Sequence, residues 1–156
     1  LMKYSLAAPP FVVDVSQCVS PVCVYAYLAS IISGRIKLGL DQTWLTGQSK
    51  SRDELDIIAM HRNFNALEGF MQDKWYSLGY TREFNCELLP ITQEMIEELE
   101  SLAKRKKLEP ISGYFFGSTN KDKKYKDDIK NLFKEVLPLV KHHLEHDEFV
   151  YYSSWW

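Results

Sequence analysis

The spacing of apolar residues changes several times along the chain, and each change marks an element. Two short apolar runs come first, Phe11-Val-Val-Asp-Val15 and Val22-Cys-Val-Tyr-Ala-Tyr-Leu-Ala-Ser-Ile-Ile32, split at Ser20-Pro21. Their β-branched content predicts two strands, or a strand and a short helix. Pro9, Pro10 and Asp14 interrupt the continuous apolar stretch of a secretory signal, and no run reaches the ~18 apolar residues of a membrane span. Residues 1–36 read as an apolar N-terminal extension and 37–156 as one domain. Ile36, Leu38 and Leu40 alternate with their neighbours and predict a strand over 36–45. After the loop Gly47-Gln-Ser-Lys50, Ser51-Arg-Asp-Glu54 has the form of a capping box. It predicts a helix from Ser51 to Trp75 or Ser77, with Gly79 past its end and Leu55, Ile58, Ala59 and Ala66 as its apolar stripe.

The second half is more regular. Thr92 caps a predicted helix over 93–107 whose buried side holds Met95, Ile96, Leu99, Leu102 and Ala103. Glu94, Glu97 and Glu98 near its start and Lys104-Arg-Lys-Lys107 at its end complement the helix dipole, and Pro110 closes it. Gly113-Tyr-Phe-Phe-Gly117 reads as a short buried strand over 112–117. A third helix is predicted over 121–145 from Ile129, Leu132, Phe133, Val136, Leu137, Val140 and Leu144, kinked at Pro138. Phe149-Val-Tyr-Tyr-Ser-Ser-Trp-Trp has strand propensity, placing a last strand over 148–155. The expected fold class is α+β: three helices packed on a small, mainly antiparallel sheet.

Length and composition fit this picture. The 156 residues suit one domain, with 46% apolar and 26% charged residues. The formal charge of −2 argues against a globally basic nucleic-acid binder. Cys18, Cys23 and Cys86 are too few and scattered for a disulfide framework or a zinc ribbon, so a reduced, intracellular chain is expected. Rings are abundant, at 13% of residues, and the aromatic end Tyr151–Trp156 is read as an edge open to pairing with another chain, a homo-oligomer included.

Four segments together resemble a family of small proteins encoded by tailed bacteriophages. Leu38-Gly-Leu-Asp-Gln-Thr-Trp-Leu45 is similar to that family's opening MGLDMYL, and His61-Arg-Asn-Phe-Asn-Ala-Leu67 to its WRKANAI. Leu108-Glu-Pro-Ile-Ser-Gly-Tyr-Phe-Phe-Gly-Ser-Thr119 is similar to LLPTQSGFFFGST, and Tyr151-Tyr-Ser-Ser-Trp155 to YYQSSW. The resemblance covers residues 38–155 and implies phage origin and the host cell cytoplasm, but no reaction. Residues 1–36 are additional to the family pattern, and Glu68 stands where the family has histidine.

Candidate chemistry centres on polar residues set into apolar pattern. On the predicted helix Arg62 continues the stripe of Leu55, and Asn65 follows three residues later on the same face. The resemblance keeps both, together with Asp41. The candidate ligand-binding set is Asp41, Arg62, Asn65, Glu68, Ser118 and Tyr152, with a guanidinium fork suited to a small anionic or nucleotide-phosphate ligand. A structural Asp41–Arg62 pair is the competing reading. Gly113–Thr119 lacks the spacing of a phosphate loop and is also explained by a strand followed by a helix cap. His142, His143, His146 and Asp147 offer i,i+4 pairs for a metal, though cations at a helix end explain them as well. No nucleophile–base arrangement stands out, and no cofactor or resident metal is expected.

Charge is segregated along the chain. Residues 51–100 carry four basic and eleven acidic side chains, residues 104–134 ten basic and four acidic. Lys104, Arg105, Lys106, Lys107, Lys121, Lys123 and Lys124 are thus a candidate nucleic-acid surface near Tyr114 and Tyr125, or simply solvated helix faces. The leading functional expectation is a non-enzymatic phage accessory protein that binds and modulates a host or defence protein.

Overall fold

The computed structural model describes residues 39–48, 54–116 and 119–156. The apolar extension, Ser51 of the expected capping box, and Ser118 all lie outside the described residues. Strands β1 (Asp41–Gly47), β2 (Asp56–Arg62), β3 (Leu89–Pro90) and β4 (Phe149–Trp155) form one antiparallel sheet in the order β2-β1-β4-β3. Helices α1 (Asn65–Ser77) and α2 (Gln93–Lys104) are followed by a third helical run. That run comprises α3 (Lys123–Asn131), a π-helical turn (Leu132–Val136) and α4 (Leu137–Glu145). The fold is therefore α+β, with three helical runs on a four-stranded antiparallel sheet among the described residues.

Alternation along β1 and β4 builds the core. Register pairs Gln42 with Ser154, Trp44 with Tyr152 and Thr46 with Val150, so these side chains share one face. Trp44 and Tyr152 meet edge to face at 5.3 Å. They join Phe64, Leu67, Phe70 and Trp75 around α1, Ile96 and Leu99 from α2, and Leu132, Val136 and Val140 from the last run. Thr43, Leu45, Tyr151 and Ser153, which alternate with these residues, are also buried. The aromatic end is consequently not a free edge. β4 lies between β1 and β3, and its residues 150–154 are buried.

α2 follows the sequence pattern. The Thr92 hydroxyl accepts from Met95 N at 3.3 Å, and Met95, Ile96, Leu99 and Ala103 are buried. It ends at Lys104, and Lys106 takes a left-handed φ of 57° before Pro110 is reached. In the last run Pro138 stands at the start of α4, immediately after the π turn. It has no N–H to offer the carbonyl four residues earlier, so the ladder is rearranged where the kink was expected.

Two expected elements differ. The helix expected from Ser51 is a strand over Asp56–Arg62, and α1 begins only at Asn65. Ile57, Ile58 and Ala59 suit either period, and pairing with β1 decides the matter. Asn63, at φ 56°, turns the chain out of the strand. Its amide donates to Leu40 O at 2.8 Å, while its side-chain oxygen accepts from Leu40 N at 2.9 Å. The expected strand over 112–117 is a loop and turn over the described residues 111–116. Its rings are used against Trp156 instead, Phe115 at 6.1 Å and Phe116 at 5.1 Å between centroids. β3 has no counterpart in the sequence reading, being two residues long with a proline.

The loop is seated on α1 through a glycine. A Cβ built on Gly69 would lie 2.6 Å from Ile111 Cγ2, a methyl on a branched Cβ that cannot swing away cheaply. Gly69→Ala should therefore destabilise the protein by about 1–2 kcal/mol, because overpacking outweighs the ~1 kcal/mol gain in helix propensity. Adding Ile111→Ala should turn the Gly69→Ala step neutral or favourable. Chemical denaturation of the double-mutant cycle checks this, and an equal cost in both backgrounds would contradict it.

Candidate functional site

A polar cluster is buried between the sheet and α1. Alternation that sends Trp44 into the core also sends Gln42, and the Tyr152 alternation sends Ser154. The Glu68 carboxylate, fully buried one turn into α1, lies opposite them. Tyr152 Oη donates to Glu68 Oε2 at 2.8 Å, Ser154 Oγ donates to Oε1 at 2.9 Å, and Gln72 Nε2 donates to Oε1 at 3.2 Å. Gln42 Nε2 donates to Tyr152 Oη at 2.6 Å and to Phe64 O at 3.0 Å, while its Oε1 accepts from Phe64 N at 2.9 Å. One amide thus satisfies both backbone groups of Phe64, the residue leading into α1. The Trp156 indole N–H approaches the same carboxylate without closing a hydrogen bond of standard geometry.

Burial governs the electrostatics here. It raises the Glu68 carboxyl above its usual value, against the pull of the hydroxyl and amide donors. Burial, and then the adjacent carboxylate, push the Tyr152 phenol well above its ordinary value. The Glu68 oxygens and the Gln42 amide oxygen accept their hydrogen bonds from within the protein.

Ser118 lies outside the described residues, and the other five candidate residues do not all meet in one place. Glu68 and Tyr152 meet in this cluster. Asp41 and Arg62 are register partners across β1 and β2 and form an ion pair, with side chains 23% and 39% exposed. The expected structural Asp41–Arg62 pair thus forms, but partly exposed rather than buried, where such pairs contribute about 0–1 kcal/mol. Arg62 ends a strand and Asn65 opens a helix, so they are not neighbours on one helix face. Asn65 Nδ2 donates to Ile111 O at 3.2 Å and holds the aromatic loop. Gln42 and Ser154 were missed, although their alternation with Trp44 and Tyr152 marks them as buried polar residues.

A small polar cleft of about 160 Å³ opens beside the start of α3, lined by Asn63, Asn65, Asp122, Lys124, Tyr125 and Asp128 among others. Its charged groups are already engaged. Asp122 accepts from Tyr125 N at 3.0 Å, and Lys124 pairs with Asp128. Burial raises the Asp128 carboxyl despite that pairing. Behind Phe64, at 5.5 Å between ring centroids, lies the buried His61, whose Nε2 has no hydrogen-bond partner. At the other end of the last run, His143 Nδ1 meets Glu148 Oε2 at 2.8 Å and His146 Nδ1 meets His142 O at 2.7 Å. Among the described residues no three His, Cys, Asp or Glu side chains come together as a metal site. Cys86 is disulfide-bonded, against the expectation of reduced thiols.

No family model, curated protein or solved structure matches the chain.

His61 gives a direct handle on this region. Burial, helped by the Lys124 charge, lowers its pKa from 6.5 to about 4. The folded state thus binds the proton less well than the unfolded chain. Stability is held above pH 6.5 and is lost as pH falls from 6.5 toward 4, by roughly 3 kcal/mol for this one group. His61→Phe should remove that part of the acid loss and raise neutral stability by about 1–3 kcal/mol, since an orphaned buried nitrogen disappears. Denaturant midpoints measured from pH 7.5 to 4 check this, and an unchanged slope would contradict it.

Proposed function

We propose that the protein acts by binding another protein, through strand addition along the outer edge of β2, and that its target is a host or defence protein met by a tailed phage. The observation that carries this reading is the position and composition of β2. Among the described residues it is the outermost long strand of the sheet, with β1 as its one neighbour there. Ile57 is 49% exposed and Met60 60% exposed. Natural edge strands are usually blunted with lysine or proline, yet residues 56–62, Asp-Ile-Ile-Ala-Met-His-Arg, contain neither. A bulge near Ile58, where the register shifts, leaves Ala59–Arg62 as the regular stretch. The complementary partner is a short extended apolar segment, whose backbone supplies hydrogen bonds and whose side chains cover Ile57 and Met60.

The phage setting rests on the sequence resemblance, which also implies the host cytoplasm. The Cys86 disulfide weighs against a reducing compartment. Among the described residues no helix is long and apolar enough to cross a membrane. The anion-binding alternative is weaker, because Arg62 is paired with Asp41 and Glu68 is held inside the core.

Replacing Ile57 and Met60 with Lys should leave stability within about 0.5 kcal/mol, as for exposed positions generally. The same change should abolish capture of any stoichiometric protein partner that wild type retains from a bacterial lysate. Substitutions on α3 should leave capture intact. A partner held equally by the Lys variant, or none held by wild type, would contradict strand addition at β2.

A further inference from the structure

The two basic stretches of the sequence are joined in space. Lys121 Nζ donates to Lys106 O at 3.0 Å and pairs with Glu109 at 2.7 Å, and Tyr125 Oη donates to Leu108 O at 2.9 Å. These contacts fasten the end of α2 to the start of α3, so 104–107 and 121–130 share one side of the molecule. Arg105, Lys106, Lys107, Lys123, Lys126 and Lys130 are all exposed there, and none has an ion-pair partner among the described residues. The nearby carboxylates are mostly taken: Glu109 by Lys121, Asp128 by Lys124, and Asp122 by the backbone of α3. Asp127 remains on this side.

A surface built for solubility alone mixes the two signs. Here an excess of six positive charges over residues 104–134 sits in a chain whose net charge is −2. Lys123, Lys126 and Lys130 follow one another along α3 with rises of about 4.5 and 6 Å, a row suited to a repeating anion. Lysine is a compact point charge that grips phosphate without demanding a fixed bidentate geometry. The loop that leaves this surface at Glu109 carries Tyr114, which is 86% exposed and offers an open ring for base stacking.

We infer that the surface formed by the end of α2 and the exposed row of α3 binds single-stranded nucleic acid, with lysines on the phosphates and Tyr114 against a base. This inference rests on a different surface from strand addition at β2. Its test is fluorescence anisotropy of the full chain with a labelled single-stranded oligonucleotide of about 20 nucleotides over a salt series. For single strands the slope of log affinity on log salt is about −0.7 per phosphate neutralised, so five or six contacts give roughly −4. Lys123→Ala/Lys126→Ala/Lys130→Ala should reduce the slope by about 2. Tyr114→Ala should weaken binding at least about fivefold with the slope unchanged. Circular dichroism confirms that each variant is folded. Absent or salt-insensitive binding, or an unchanged slope in the triple variant, would overturn the inference. So would tighter binding to duplex, or competition by polyglutamate as effective as that by unlabelled oligonucleotide, which would assign the surface to duplex or to an acidic protein.

Discussion

The buried carboxyl of Glu68 is the constraint around which the rest of the fold is arranged. A carboxyl group removed from water is costly unless its lone pairs are met, and here one strand and one helix meet them: Tyr152 and Ser154 from β4, Gln72 from α1. Gln42 extends the network to β1 and to the backbone at Phe64. These bonds fix the register of β4 and the entry angle of α1 together. A slip of one residue in β4 would carry Tyr152 and Ser154 to the opposite face and leave Glu68 alone. Apolar packing of Trp44, Trp75 and Phe84 supplies the bulk of the burial, while the polar cluster selects a single arrangement of it.

With Glu68, Tyr152, Ser154 and Gln42 bound to one another inside, the groups open to a partner lie outside. The edge of β2 presents the apolar side chains of Ile57 and Met60, and the α2–α3 side presents cations without ion-pair partners among the described residues. Both follow from sequence placement. The acidic excess falls in residues 51–100 and the basic excess in 104–134, and the fold keeps these stretches on different elements.

How much of this was legible in the sequence depended on whether the information was local. α2 was readable because Thr92, the spacing of Met95, Ile96 and Leu99, and the order of its charges all lie within one helix. β4 was readable from β-branched and aromatic content. The segment 56–62 was misread because Ile57, Ile58 and Ala59 fit either period, and the deciding partner, β1, lies across a hairpin. The run of rings at 114–116 looked like a strand, but its partners are Trp156 and the backbone of Leu40, distant in sequence. The candidate site was half legible. Asp41 with Arg62, and Glu68 with Tyr152, are true neighbours, yet they belong to two places. Asn65 opens α1 one turn before Glu68 rather than continuing a helix from Arg62, because Asn63 turns the chain between strand and helix.

The central claim is that the Glu68 cluster holds the fold while the surfaces carry the function. Tyr152→Phe tests it most directly, since it deletes one hydroxyl from the middle of the network and changes no exposed group. Stability and retention of the bound partner should be measured on the same preparation. A loss of about 1–3 kcal/mol with partner binding undiminished is the predicted result. Unchanged stability with the partner lost would contradict the account and make the buried cluster itself the functional site.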